Sequence, residues 1–308
     1  MLRIDSEGFL LWSLVILISL QSSLVAGGLP GASQEARVAF PVVPTGEWTK
    51  VDEIRLRFNT YHPQGLVKVG DRFFLTAVET VEGPQPISGG GRSPGRGVGH
   101  LFVFDPAGTL VESVTLGEGH HYHPGGIDFD GRFIWVPVAE YRPQSSTIIY
   151  KVSVPDLEVK EAFRVNDHIG ALVAFRNEGP LLGMSWGSRE FYSWDREGRQ
   201  LSRRQNPGHY IEYQDCKQVD GETVLCSGLN SFVNAEGVQF DLGGLELIEP
   251  FALRTSAQVP VGIYAADGTV LTNNPFDFEV GASELKLYFV PEDEDSNLFI
   301  YRIPFGPE

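Results

Sequence analysis

The sequence predicts an all-β fold, a five-bladed β-propeller closed by an N-terminal strand. Three observations predict it. Beyond residue 50 the chain reads as short strand-like runs broken by Gly, Pro, Asp and Asn, with no long stretch of 3.6-residue periodicity, the pattern of a sandwich, barrel or propeller. The chain also repeats itself. HPQGLVKVGDRFFLTAVE from His62 and HPGGIDFDGRFIWVPVAE from His123 both open His-Pro-x-Gly, continue as an Arg-Phe-led apolar strand, and end at Glu79 and Glu140. Finally, the last repeat stops one strand short, while an unattached strand precedes the first. A period of roughly 50 residues favours a propeller over a sandwich.

The elements follow in chain order. Phe9 to Leu20 is an apolar run preceded by Arg3 and followed by SSLVAGG, which reads as a secretory signal peptide over 1–27. An uncleaved signal anchor is the alternative, because Phe9 to Gly27 is nearly long enough to span a bilayer. Residues 28–50 read as a linker and 51–308 as a single propeller domain. The expected location is secreted or extracytoplasmic, with no membrane association beyond that N-terminal anchor. Val51 to Phe58, VDEIRLRF, is the orphan outer strand, expected to pair near 297–303 and complete the last blade. The His62 repeat continues through Leu101–Asp105 and Thr109–Leu116, and the His123 repeat through Thr147–Val152 and Val159–Val165. Weaker copies open at His168-Ile-Gly, at Tyr213-Gln214-Asp215 and at Asn274-Pro275. Six blades remain the alternative if Val259 to Thr272 forms a further small sheet.

Cys216 and Cys226 are the only cysteines, in CKQVDGETVLC. Asp220-Gly221 is a hairpin signal, and a three-residue loop over Asp220–Glu222 sets Cys216 opposite Cys226. Opposed cysteines in an exported chain predict a disulfide; two buried free thiols are the alternative.

The net charge of −16 over 308 residues argues against a nucleic acid or an anionic membrane as partner. There is no GxSxG, no P-loop and no GxGxxG between strand and helix, so a serine-hydrolase triad and a nucleotide site lack support. The repeat suggests a different site. The first residue of each repeat falls near one mouth of the central channel, which gathers His62, His123, His168, a residue of Tyr213-Gln214-Asp215, and Asn273 or Asn274. Three imidazoles in register suit a divalent metal of unspecified identity, with Glu79 or Glu140 as general base. His121, Asp215, Asn274, Arg189 and Glu292 are expected at the rim. Tyr122, Tyr141 and Trp186 suit sugar stacking as well as they suit core packing. The acidic run Glu292–Asp295 is either a Ca site or an exposed turn, and the Gly-rich insertion 83–97 is a lid or a loop without a role.

HPQG, HPGGIDFDGRFIWVPVAEYRP, DHIG, WGSREFY, HYIEYQDCK and YFVPEDED together resemble a family of secreted propeller-like proteins classed only as a domain of unknown function. The resemblance spans roughly residues 50 to 303. It implies the fold and export, and no chemistry. At fold level the chain also resembles calcium-dependent lactonases and strictosidine-synthase-like propellers, whose sites are Glu/Asn/Asp rings; this sequence places His there instead. Two functions are expected from these residues. One is a metal-assisted hydrolase or lyase acting on a small polar substrate. The other is a non-catalytic carbohydrate- or peptide-binding propeller. A monomer is expected in either case.

Overall fold

The computed structural model describes residues 47–304. The expected signal segment, and the linker as far as residue 46, lie outside the described residues. Five sheets form the five blades of a β-propeller. Blade one is β2 (His62–Val69), β3 (Arg72–Glu82), β4 (Arg96–Phe104) and β5 (Leu110–Leu116), an antiparallel meander. Blade two is β6 (His121–Pro124), β7 (Asp128–Phe129), β8 (Phe133–Glu140), β9 (Thr147–Ser153) and β10 (Val159–Val165). Blade three is β11 (Ile169–Ala174), β12 (Leu181–Ser185), β13 (Glu190–Trp194) and β14 (Gln200–Gln205). Blade four is β15 (Glu212–Gln218), β16 (Val224–Val233), β17 (Gln239–Glu249) and β18 (Arg254–Val261). Blade five joins β19 (Phe276–Val280), β20 (Glu284–Phe289) and β21 (Asn297–Pro304) to β1 (Thr49–Arg55) from the start of the fold.

The closure is the one the orphan strand predicts, with Glu53 opposite Phe299 and Arg55 opposite Asn297. The sixth sheet is not formed. Val259 to Val261 belong to the outer strand of blade four, and the residues after them make only a turn bridged at Tyr264–Val270. The Cys216–Cys226 disulfide is present, with the two cysteines directly paired across β15 and β16.

The core lies between blades. Five apolar clusters fill the five blade-to-blade contacts. Leu66, Phe73 and Leu75 of blade one meet Tyr288 and Leu298 of blade five, for example. Each sheet is therefore buried on both faces, which explains the continuous apolar runs such as FIWVPVA in β8.

The glycine of the His-Pro-x-Gly repeat closes the channel. A Cβ on Gly65 would lie 2.7 Å from the Gly125 carbonyl oxygen, and one on Gly126 would lie 2.6 Å from Asp215 Oδ1. The inner strands thus meet backbone to backbone at the waist. In blade two the second glycine of the pair, Gly126, leaves its own sheet, while Gly125 N still donates to the Pro137 carbonyl of β8 at 2.9 Å. Gly126 N donates to the Gly170 carbonyl at 2.9 Å and the Gly126 carbonyl accepts from Leu172 N at 3.0 Å. This splits the inner strand into β6 and β7 and ties blade two to blade three.

Below the waist the channel is filled by charge. Asp128, Asp215 and Asp277 come from three inner strands and surround Lys217, whose Nζ lies 2.6 Å from Asp215 Oδ1. The carboxylates also accept backbone N–H groups of other blades, Asp215 across the channel and Asp277 and Asp128 from the adjacent blade. Leu66 N donates to Asp215 at 3.0 Å, Lys68 N to Asp277 at 2.6 Å and Ala174 N to Asp128 at 3.1 Å. Burial pushes the Asp215 and Asp277 carboxyls up to about 7, against the opposing pull of Lys217, and raises Asp128 as well.

Candidate functional site

At the strand-start end of the channel a cavity of about 380 Å³ opens between blades. Its floor comes from four inner strands, and a local irregularity in three of them shapes it. The pairing register slips between Pro63 and Gly65, between Ile169 and Ala171, and between Tyr213 and Asp215. The extra residues at these bulges, Gln64, Gly170 and Gln214, all line the cavity. A bulge frees one residue from the ladder and re-aims it, so the fold presents two amides and a small gap to the same space.

His62, His123 and His168 line this cavity together. Each is held differently. His62 Nδ1 lies 2.8 Å from Asp293 Oδ1, which acts as hydrogen-bond partner to a half-exposed ring. His168 Nδ1 donates to the Glu140 carbonyl at 2.9 Å, leaving Nε2 as the acceptor nitrogen. His123 is 6% exposed and its Nδ1 has no partner among the described residues. Burial pushes His168 down to about 4. Burial, and next the nearby His168 and His62, hold His123 well below the usual imidazole range. Both rings are neutral at pH 7.

The histidines continue into an aromatic wall. His123 stacks on Tyr141 at 4.1 Å, Tyr141 lies 6.1 Å from Trp186, and Trp186 and His168 meet in a T-shaped contact at 4.7 Å between ring centroids. Trp186 sits on a single 3-10 turn, Trp186–Ser188, in which Gly187 adopts φ 62°. That left-handed residue is accessible to glycine without strain. It places Trp186 over the rim, 37% exposed. A Cβ on Gly187 would stand 3.4 Å from Glu212 Oε1, so this carboxylate lies directly beside the Trp186 turn.

The far side of the mouth comes from blade four. Its central hairpin, β16 to β17, is long, as is β3 to β4 of blade one, and the cross-strand pair Ser231 and Asp241 lines the cavity, with Ser231 Oγ donating to Asp241 Oδ1 at 2.6 Å. Sequence reasoning missed Gln64, Glu212, Ser231 and Asp241. The unusual length of the polar-edged run Ser227–Asp241 was the one signal for the last two.

Other expected residues stand elsewhere. Glu79 bonds His100 Nε2 at 3.1 Å and Glu140 pairs with Arg142 at 2.7 Å; neither lines the cavity. Both carboxylates are turned to partners on their own blades, so neither is placed as a general base. His121 bonds Ser146 Oγ at 2.8 Å, outside the cavity. Asp215 is fully buried at the waist with Lys217 rather than at the rim. Asn274 is buried and donates to the Pro291 carbonyl at 2.8 Å, and its neighbour Asn273 takes the lining position. Arg189 is turned to the Gly208 carbonyl and His209. Glu292 accepts the Asn297 N–H at 2.7 Å and holds a turn. The acidic run is spent on partners, Asp293 on His62, Glu294 on Asn59 and Asp295 on Arg55. Tyr122 is buried beneath the 83–97 insertion, donating to the Pro94 carbonyl at 2.8 Å. That contact pins the insertion to blade two; none of its residues lines the cavity, although Arg92 stands near Tyr141. Among the described residues no group of three or more His, Cys, Asp or Glu side chains is placed to hold one metal ion. The Glu/Asn/Asp ring implied by the lactonase likeness is not what the strand starts present, since three of them are imidazoles.

The chain is similar to parts of several solved structures. A DUF4623 family protein from Bacteroides eggerthii superposes with a TM-score of 0.46 at 10% identity, covering 84% of this chain and 76% of that one. MPT-4, a mannose phosphorylase from Leishmania mexicana in complex with phosphate ion, gives a TM-score of 0.45 at 11% identity over 83% of this chain and 89% of that one. Likenesses at this level carry no activity across. No curated protein matches the sequence. Residues 42–307 match the family of unknown function DUF6454, and the chain belongs to that family.

Proposed function

We propose that the histidine-ringed mouth is the working site and that it binds a small polar molecule of sugar size in an extracytoplasmic compartment. One observation carries this reading: a cavity of about 380 Å³ combines an exposed aromatic face, Trp186 with Tyr141, and polar groups from blades one to four. That volume and mixture suit small-ligand sites, where apolar rings supply contact area and a few polar groups fix orientation. The buried His123 Nδ1 without a partner supports it, because an unsatisfied buried group at a functional site is stability held back for a ligand. The disulfide supports export. The test is a thermal-shift and calorimetric screen with small sugars and polar metabolites against wild type and Trp186→Ala. Binding present in the first and lost in the second supports the site. Binding unchanged by the substitution places the ligand elsewhere.

A metal-assisted hydrolase or lyase is the second reading. It is favoured by the hydrogen bonds from His62 Nδ1 to Asp293 and from His168 Nδ1 to the Glu140 carbonyl, since metal-ligating imidazoles are commonly oriented this way. It requires the rings to draw closer, and a base in the wall, where Glu212 and Asp241 stand in place of Glu79 and Glu140. Metal analysis of protein purified without added metal tests it. Stoichiometric metal lost in His123→Ala supports the enzyme, while absence of metal and no response to chelator argue against it.

A further inference from the structure

The geometry points to a positively charged ligand for this site, an organic ammonium group seated on Trp186 and Tyr141 and balanced by Glu212 and Asp241. The inference rests on the binding reading above and names the ligand's chemical class.

The charge of the cavity is one-sided. Its wall holds the carboxylates of Glu212 and Asp241 and no Lys or Arg. Among the described residues neither carboxylate forms an ion pair; Asp241 has only the Ser231 hydroxyl as side-chain partner and Glu212 stands by the Trp186 turn. The imidazoles do not offset them. His123 and His168 are buried and neutral at pH 7, and His62 already faces its own carboxylate, Asp293. Glu140, Asp295 and Glu190 each carry an arginine, Arg142, Arg55 and Arg203, whereas the lining of this cavity holds Glu212 and Asp241 with no cationic side chain beside them.

The aromatic wall supplies an independent observation. Trp186 and Tyr141 both line the cavity, 6.1 Å apart between ring centroids, and His123, nine-tenths buried and stacked on Tyr141, keeps an unpartnered Nδ1. Ring faces carry the negative end of the aromatic quadrupole and attract cations, tryptophan most strongly. Carboxylates set around such rings are the arrangement that recognises substituted ammonium groups. A neutral polar ligand would use the rings equally well and leave both carboxylates unanswered. An anionic ligand would meet them as like charges. The wall selects an ammonium-bearing small molecule, an amino sugar or a quaternary amine.

Two matched probe pairs isolate the charge. Choline differs from 3,3-dimethyl-1-butanol, and glucosamine from glucose, chiefly by the cationic nitrogen. Isothermal titration with full-length protein at low and at physiological salt is expected to show choline binding about tenfold more tightly than its neutral isostere, and glucosamine more tightly than glucose. Glu212→Gln and Asp241→Asn are each expected to lower choline affinity about three- to tenfold and to leave the isostere unchanged. Both residues are exposed or half-exposed, so these variants fold, and a melting curve checks it. If neutral and charged members bind equally and both are lost in Trp186→Ala, the charge inference is overturned while the binding site stands. If no probe binds, or binding survives Trp186→Ala, both are overturned.

Discussion

Asp277 offers the sharpest test of the buried charge cluster that closes the channel. Its carboxyl accepts Lys68 N at 2.6 Å, and burial raises it from 3.8 to about 7. That gap corresponds to about 4 kcal/mol. A carboxyl raised in the folded state binds its proton more tightly there than in the unfolded chain. Its contribution to stability is full below the ordinary carboxyl range and is lost as pH rises through about 7. Asp277→Asn removes this titration and keeps an oxygen for Lys68 N. The stability of wild type relative to the variant should therefore fall by about 2–4 kcal/mol between pH 4 and pH 8, the lower figure allowing for shared titration with Asp215. Taking the difference cancels the surface carboxylates whose pKa values are lowered, such as Asp105 and Asp195, which act in the opposite direction. Urea unfolding across that range measures it. A difference that stays flat, or that grows in favour of wild type with rising pH, would refute the reasoning.

Further expectations concern the waist, the disulfide and the rim. Gly126→Ala should cost about 1–3 kcal/mol in chemical unfolding, because its Cβ would press on Asp215 Oδ1 and the Gln214 carbonyl; Gly221→Ala, which meets nothing within 4 Å, is the control, and equal effects would count against a closed waist. Reduction of Cys216–Cys226, which closes a sequence separation of 10, should lower stability by about 2–3 kcal/mol, and an unchanged unfolding midpoint in reductant contradicts this. Trp186→Ala should change stability by under about 1 kcal/mol, since the ring is 37% exposed, while removing the response to ligand; a large loss of stability would mark Trp186 as a core residue.

The architecture was legible because it is written as a repeat. The His-Pro-x-Gly openings located the inner strands, and the unattached VDEIRLRF located the closure. The same register brought His62, His123 and His168 to one mouth from positions far apart in the chain. What failed was the direction of side chains within that register. A β-bulge shifts every later residue to the other face, and bulges at Gln64, Gly170 and Gln214 have no local sequence mark. Glu79 and Glu140 recur at matching positions late in the second strand, Glu140 ending β8 and Glu79 followed by three more residues of β3, and each takes whatever cation or imidazole its own blade provides. The role of the repeat's glycine was equally hidden. It serves the contact between blades, which no single repeat contains. Glu212 opens β15 at the register position that His62 holds in β2, one residue before the Tyr213 opening read from the sequence, while Asp241 lies on β17 and only the fold brings it to the rim.

The central claim is that the mouth between Trp186, Tyr141 and the three histidines is where this protein meets its ligand. Crystals soaked separately in choline and in glucosamine test it most directly. The account predicts an ammonium group over the Trp186 ring, within reach of Glu212 and Asp241. Density for either probe at the opposite mouth, among Lys68, Arg176 and Glu279, with the histidine-ringed cavity empty, would contradict it.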